Sequence, residues 1–249
     1  MPQHNVFASV FKPASLSIIG FLLLLNYQPN TYGNYEGRTS LKTTNAVSLS
    51  RSTSSNYTSE QINYFLEVAM GTEYGGSNPT LKKWDEDIKI KVVGSPTPED
   101  LKTLQTVINE INTLTGTVRL QIDPNNANLE LYFIPEPRFA SYEPNYQPIN
   151  YGFFWNSWDK DIIYHSRILI TTVGVTQKER SHLIREELTQ SLGLMKDSDK
   201  YRESIFYQDW TDTTSYAAID KAVIEMLYRP EIRPGMTKAQ VLEVFRNIN

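Results

Sequence analysis

The chain has 249 residues, a formal net charge of −4 and a sequence pI near 5.5, with 40% hydrophobic and 21% charged residues. That size suits one sizeable domain with a tail, and that charge speaks against a nucleic-acid binder, which carries a basic face. No cysteine is present, which excludes disulfides, thiolate metal sites, a cysteine nucleophile and a lipid anchor on an N-terminal cysteine; the histidines are His4, His165 and His182.

Residues 14–25, ASLSIIGFLLLL, form one apolar run behind Lys12 and the amino terminus. The run is shorter than the ~20 residues a membrane-spanning helix needs, and its flanks match an export signal. Residues 1–33 are therefore read as an export signal or a signal anchor: Thr31-Tyr32-Gly33 has small residues at the spacing of a cleavage site, but Ala-x-Ala is missing. A buried helix of the domain is the competing reading. Residues 34–57 are rich in Ser, Thr and Asn without hydrophobic period, which predicts a flexible linker. Residues 58–249 are then the folded domain.

Thr58 and Gln61 form a capping-box pattern, and Ile62, Phe65, Leu66 and Ala69 follow at helical spacing. Residues 87–93 alternate as a strand. Thr97-Pro98-Glu99-Asp100 starts a second helix, whose apolar face is Leu101, Leu104, Ile108, Ile111 and Leu114. Residues 118–122, 129–134, 151–155 and 162–172 read as further strands, with a Pro- and Tyr-rich loop over 135–148. That loop is long enough to suggest function, as a lip over a cleft. Helices are predicted over 177–192, near 215–227 and after Thr237. This order implies a twisted mixed five-stranded sheet with backing helices and a C-terminal helical part, an α+β fold.

The informative stretch is residues 181–197, SHLIREELTQSLGLMKD. On a helix His182, Glu186 and Gln190 share one face, while Ile184, Leu188 and Leu192 form a stripe on roughly the opposite side. The helix is therefore expected to bury the apolar stripe and present the His-Glu-Gln row, with Gly193 permitting a sharp turn at its end.

In spacing, residues 186–196 resemble the H-E-x-x-H-x-x-G-x-x-H helix of metzincin (matrixin-like) metallopeptidases, with Phe206 where the Met-turn methionine would stand and residues 217–228 as the last helix. The resemblance implies a metzincin-like (zincin) fold. Glu187 falls at the general base, and Glu186, Gln190 and Lys196 fall at the zinc ligands. A closer resemblance is to an uncharacterised bacterial family of exported proteins, a domain of unknown function whose members carry E-E-x-T-Q-x-L-G-L, as residues 186–194 do; Arg233-Pro234-Gly235-Met236 is similar to its C-terminal signature.

Catalytic zinc takes three protein ligands and one open position, and Gln and Lys serve it poorly. Two function classes follow. The first is a pseudoenzyme with no cofactor, binding a peptide or envelope protein in the former cleft. The second is a metal-dependent hydrolase that uses a divalent metal on His182, Glu186, Gln190 and Asp197 or Asp199, with Glu187 as base. Adjacent Glu186 and Glu187 point about 100° apart on a helix, so they do not make a glycosidase pair. His165 on a strand, and Trp84, Trp155, Trp158 and Trp210, read as packing. The expected location is outside the cytoplasm: secreted, periplasmic or membrane-anchored, with membrane contact only through the N-terminal apolar segment and no nucleic-acid partner.

Overall fold

The computed structural model describes residues 3–7, 57–71, 79–144, 146 and 150–248. All of them belong to one contact unit, formed by Met1–Lys12 and Ser55–Asn249. The apolar run over 14–25 and residues 34–56 of the linker read over 34–57 lie outside the described residues, while Tyr57, at its end, is buried in the domain core.

Three helices begin with the same reciprocal cap. Thr58 precedes α1 (Ser59–Met70), Thr97 precedes α2 (Pro98–Leu114) and Thr176 precedes α3 (Gln177–Gln190). In each, the Thr hydroxyl accepts the amide of the residue three positions on, and that residue's side chain accepts the Thr amide. Two otherwise unpaired N–H groups are thereby satisfied at each helix start. The helices α4 (Ala218–Leu227) and α5 (Lys238–Ile248) complete the set.

Seven strands form one sheet among the described residues: β1 (Gln3–Phe7), β2 (Lys83–Trp84), β3 (Ile88–Gly94), β4 (Leu120–Ile122), β5 (Leu129–Ile134), β6 (Gly152–Asp159) and β7 (Ile162–Thr171). Their order is β1-β6-β7-β5-β3-β4, with the short β2 beside the start of β7. The strands β3, β4, β5 and β7 run parallel. β6 is antiparallel to β7, and β1 is antiparallel to β6. The sheet is thus mostly parallel and mixed at one side, and it exceeds the five strands expected. β2 is too short to show a period, and β1 precedes the apolar run. The turn from β6 to β7 places Lys160 and Asp161 at φ 47° and 67°, the left-handed pair that a two-residue hairpin needs.

The main core lies between the sheet and the helices. Ile88, Ile90, Leu129, Leu131, Phe133, Phe154, Ile168 and Ile170 face Leu104, Ile108, Leu183 and Leu188 within it. Strand alternation sends Ile134, Phe153 and Leu169 to the opposite face, where they form a second cluster with Phe139 and Tyr146. Those two aromatics belong to the Pro- and Tyr-rich segment, which contains a 3-10 turn (Glu136–Ser141). The segment therefore covers the back of the sheet and is no lip over the α3 face, because Phe139 and Tyr146 have an apolar surface to bury there.

Candidate functional site on helix α3

Between Arg180 and Gln190, every residue of α3 except Ser181 is buried. The expectation that the His-Glu-Gln row faces outward is therefore corrected: His182 is 2% exposed, Glu186 1% and Gln190 1%. The cause is the chain beyond Gly193, which returns over the helix. His182 Nδ1 lies 2.7 Å from the Thr213 carbonyl oxygen, and Trp210 stands edge-on to the imidazole with ring centroids 6.2 Å apart. One turn on, His182 Nε2 lies 3.3 Å from Glu186 Oε2. Burial pulls the imidazole pKa down, but the Glu186 carboxylate and the Thr213 carbonyl outweigh burial and hold it above its ordinary value.

The other polar residues of the helix are also held internally. Arg185 donates to Glu110 and lies over the Tyr216 ring, 4.4 Å from its centroid. Thr189 Oγ1 donates to the Arg185 carbonyl at 2.6 Å and meets the Tyr216 hydroxyl at 2.6 Å. Gln190 Nε2 donates to Asp197 Oδ1 at 2.5 Å. At the helix end the Ser191 carbonyl accepts from Trp84 Nε1 at 2.9 Å and Asn156 Nδ2 at 3.2 Å, and the Leu192 carbonyl accepts from the Tyr228 hydroxyl at 2.8 Å. These bonds satisfy carbonyls that a helix terminus leaves open. Gly193 turns with φ +117°, and a Cβ there would stand 2.2 Å from the Lys82 carbonyl oxygen.

Glu187 differs from its neighbours. It is 0% exposed, and neither carboxyl oxygen has a hydrogen-bond partner among the described residues. Burial raises its pKa well above the usual carboxylate range, and the charges of Glu186 and Asp197 raise it further. Burial and these neighbours thus disfavour the ionised form that a general base requires.

The sequence-derived metal set thus divides into two pairs, His182 with Glu186 and Gln190 with Asp197. Among the described residues no three His, Asp or Glu side chains gather as ligands. The zinc that the metzincin resemblance implies does not fit the donors present. Gln190 turns its amide to Asp197, and Lys196 lies along Gly71, where its charge acts on Glu67 instead. Phe206, which that resemblance sets where a Met-turn methionine would stand, is fully buried and edge-on to Tyr64.

Two further buried polar centres escaped the sequence reading. Asp100 joins Arg180 Nε at 2.8 Å and Gln177 Nε2 at 2.6 Å, tying the starts of α2 and α3 together. Asp220 accepts from the Ser204 hydroxyl at 2.5 Å, the Ile205 amide at 3.1 Å and the Ala217 amide at 2.8 Å. The capping pattern at Thr97 and Asp100 was the available signal for the first. The second joins distant segments and has no local signature.

The fold and this sealed helix define an α/β domain with a mostly parallel sheet and a buried polar centre. Residues 58–247 match the family described as Protein of unknown function (DUF2927), and the chain belongs to that family. No curated protein matches the chain. Among the described residues no helix is long and apolar enough to cross a membrane.

Proposed function

We propose that this is an exported, catalytically silent binding domain with a metallopeptidase-like layout, which takes an extended peptide or envelope-protein segment. The observation that carries the reading is the closure of the His182, Glu186 and Gln190 row beneath Thr213 and Asp197. A metallohydrolase needs an open coordination position and an ionised base, and neither Gln190 nor Glu187 supplies one. The apolar run over 14–25 supports export.

Peptide binding draws support from the sheet edge. Gln3–Phe7 lies antiparallel on β6, from Gln3 opposite Trp158 to Phe7 opposite Phe154. Export with cleavage after residue 33 would remove Gln3–Phe7 and free this edge, and β6 then accepts an extended segment along it, the geometry by which sheets add a foreign strand.

The test is metal content and peptide hydrolysis of the full chain, purified without chelator or affinity nickel. The reading expects well under one equivalent of metal, no thermal shift in excess zinc and no cleavage of a peptide library. Bound metal near one equivalent, lost in Glu186→Ala and accompanied by cleavage, would overturn it in favour of a metal-dependent hydrolase on His182, Glu186 and Glu187.

A further inference from the structure

Away from the α3–β6 contact, the outer sides of α2 and α3 border an open cavity of about 430 Å³ whose lining includes Lys102, Thr103, Thr106, Lys178, Ser181 and Arg185. No aliphatic or aromatic residue lines it. A cavity of this size walled only by polar side chains is unlike an apolar small-molecule pocket, so its ligand must be recognised by hydrogen bonds and charge.

Arg185 is the buried member of this lining. Its side chain is 3% exposed, its Nη1 donates to Glu110, and its Nε–H has no acceptor among the described residues. A buried N–H without an acceptor is costly. The Nε edge of a guanidinium is one that grips carboxylate, phosphate or sulfate oxygens. Beside it, Thr103 Oγ1 and Ser181 Oγ lie 3.1 Å apart, and either can donate. That contact uses one hydroxyl proton and leaves the other for a ligand.

The lining carries Lys102, Lys178 and Arg185 against one carboxylate, Glu99. Two more carboxylates face these cations from outside the cavity: Lys178 pairs with Asp212 at 2.6 Å, and Arg185 pairs with Glu110. Lys102 lies 3.5 Å from Glu99. The two lysine pairs are solvent-exposed on both sides. Such pairs contribute little and rearrange readily, so both ammonium groups can turn towards a bound anion.

We propose that this cavity binds a small tetrahedral oxyanion, a phosphate or sulfate group, held by Arg185 at its base and by Lys102 and Lys178 at its rim. The site is separate from the β6 edge and independent of the peptide-binding reading. It gives a protein of net charge −4 a local place for an anion.

The experiment titrates inorganic phosphate and sulfate into the full chain by calorimetry and thermal shift, against chloride at matched ionic strength. The expected result is saturable one-site binding that chloride does not reproduce. A Lys102→Ala/Lys178→Ala double variant should weaken it by at least about tenfold, with an unchanged melting temperature in the absence of oxyanion. Arg185→Lys keeps the charge but loses the planar fork, and weakened binding in that variant is also expected. Because Arg185 also anchors Glu110, the lysine variant decides the matter. Equal shifts in chloride and phosphate, or unchanged affinity in the double variant, would overturn the proposal. Glycerol phosphate then separates the sources: tighter binding than inorganic phosphate assigns an organic phosphate, and weaker binding assigns the free ion.

Discussion

Gly152 of β6 and the carboxyl group of Glu187 on α3 are in direct apposition: a Cβ added at Gly152 would stand 2.4 Å from Glu187 Oε1 and 2.9 Å from Leu183 Cδ2. Strand and helix approach this closely because one of them has no side chain at the contact. Gly152→Ala should lower stability by roughly 1–3 kcal/mol through overpacking. Glu187→Ala in the same chain should recover part of that loss, since contacting sites couple. Denaturant unfolding of both single variants and the double variant gives the coupling; strict additivity would show that the two residues do not meet.

Glu187 itself should be replaceable. At pH 7 a carboxyl group without partners at 0% exposure must either take up a proton or hold a buried charge, and both are costly; Gln has the same shape without the ionisation. Glu187→Gln is expected to stabilise the domain at pH 7 by about 1–3 kcal/mol, measured by thermal and chemical denaturation. A destabilised variant would show that the native carboxylate is ionised and held by a cation.

Asp220 provides the pH dependence. Burial pushes its pKa from 3.8 to about 6, against the lowering effects of the Ser204 hydroxyl and the Ala217 and Ile205 amides. The folded state therefore binds its proton more tightly than the unfolded state does. The resulting contribution to stability is complete below about pH 4 and is lost as pH rises through 6. The difference in unfolding free energy between the wild-type chain and Asp220→Asn should fall across that window, while a flat difference would place the folded pKa at its ordinary value. Asp220→Ala strands two amides and a hydroxyl and should cost roughly 2–4 kcal/mol near pH 4, and less as pH rises through 6.

Lys83 is buried and donates from Nζ to the carbonyls of Leu227 at 2.6 Å and Ile232 at 2.9 Å, with the Tyr228 ring centroid 4.7 Å away. It closes the C-terminal end of α4, and burial pushes its ammonium pKa down to about 8. Lys83→Met fills the space but leaves two carbonyls without donors, so a loss of roughly 2–4 kcal/mol is expected. Hydrogen exchange in the last turn of α4 should rise with it; unchanged protection there would show that solvent replaces the lysine.

Local signals in the sequence translated well into structure. Thr97-Pro98-Glu99-Asp100 starts α2 with the anticipated cap, and the alternating Leu129–Ile134 forms a strand with the anticipated bounds. Both depend on neighbours within one turn or one strand. The site was legible in its members but not in its exposure. Periodicity separates Ile184 and Leu188 from His182, Glu186 and Gln190, yet Thr213 and Asp197 cover the second set. A helix sealed on both sides by non-local chain cannot be told, by period alone, from one with a wet face. β6 was read too short for a related reason: Asn156 is polar but fully buried, because its amide serves the Ser191 carbonyl.

The pairing of Gln3 with Trp158 joins parts of the chain that α1, α2 and four strands separate in sequence. Closing so long a loop has an entropic cost that no local contact offsets, and β6 offers a template only after it has paired with β7. In a chain that keeps residues 1–33, β1 therefore docks late in folding and opens before the rest of the sheet. At equilibrium that edge breathes on its own, exposing the backbone groups of β6 while the parallel centre of the sheet stays closed.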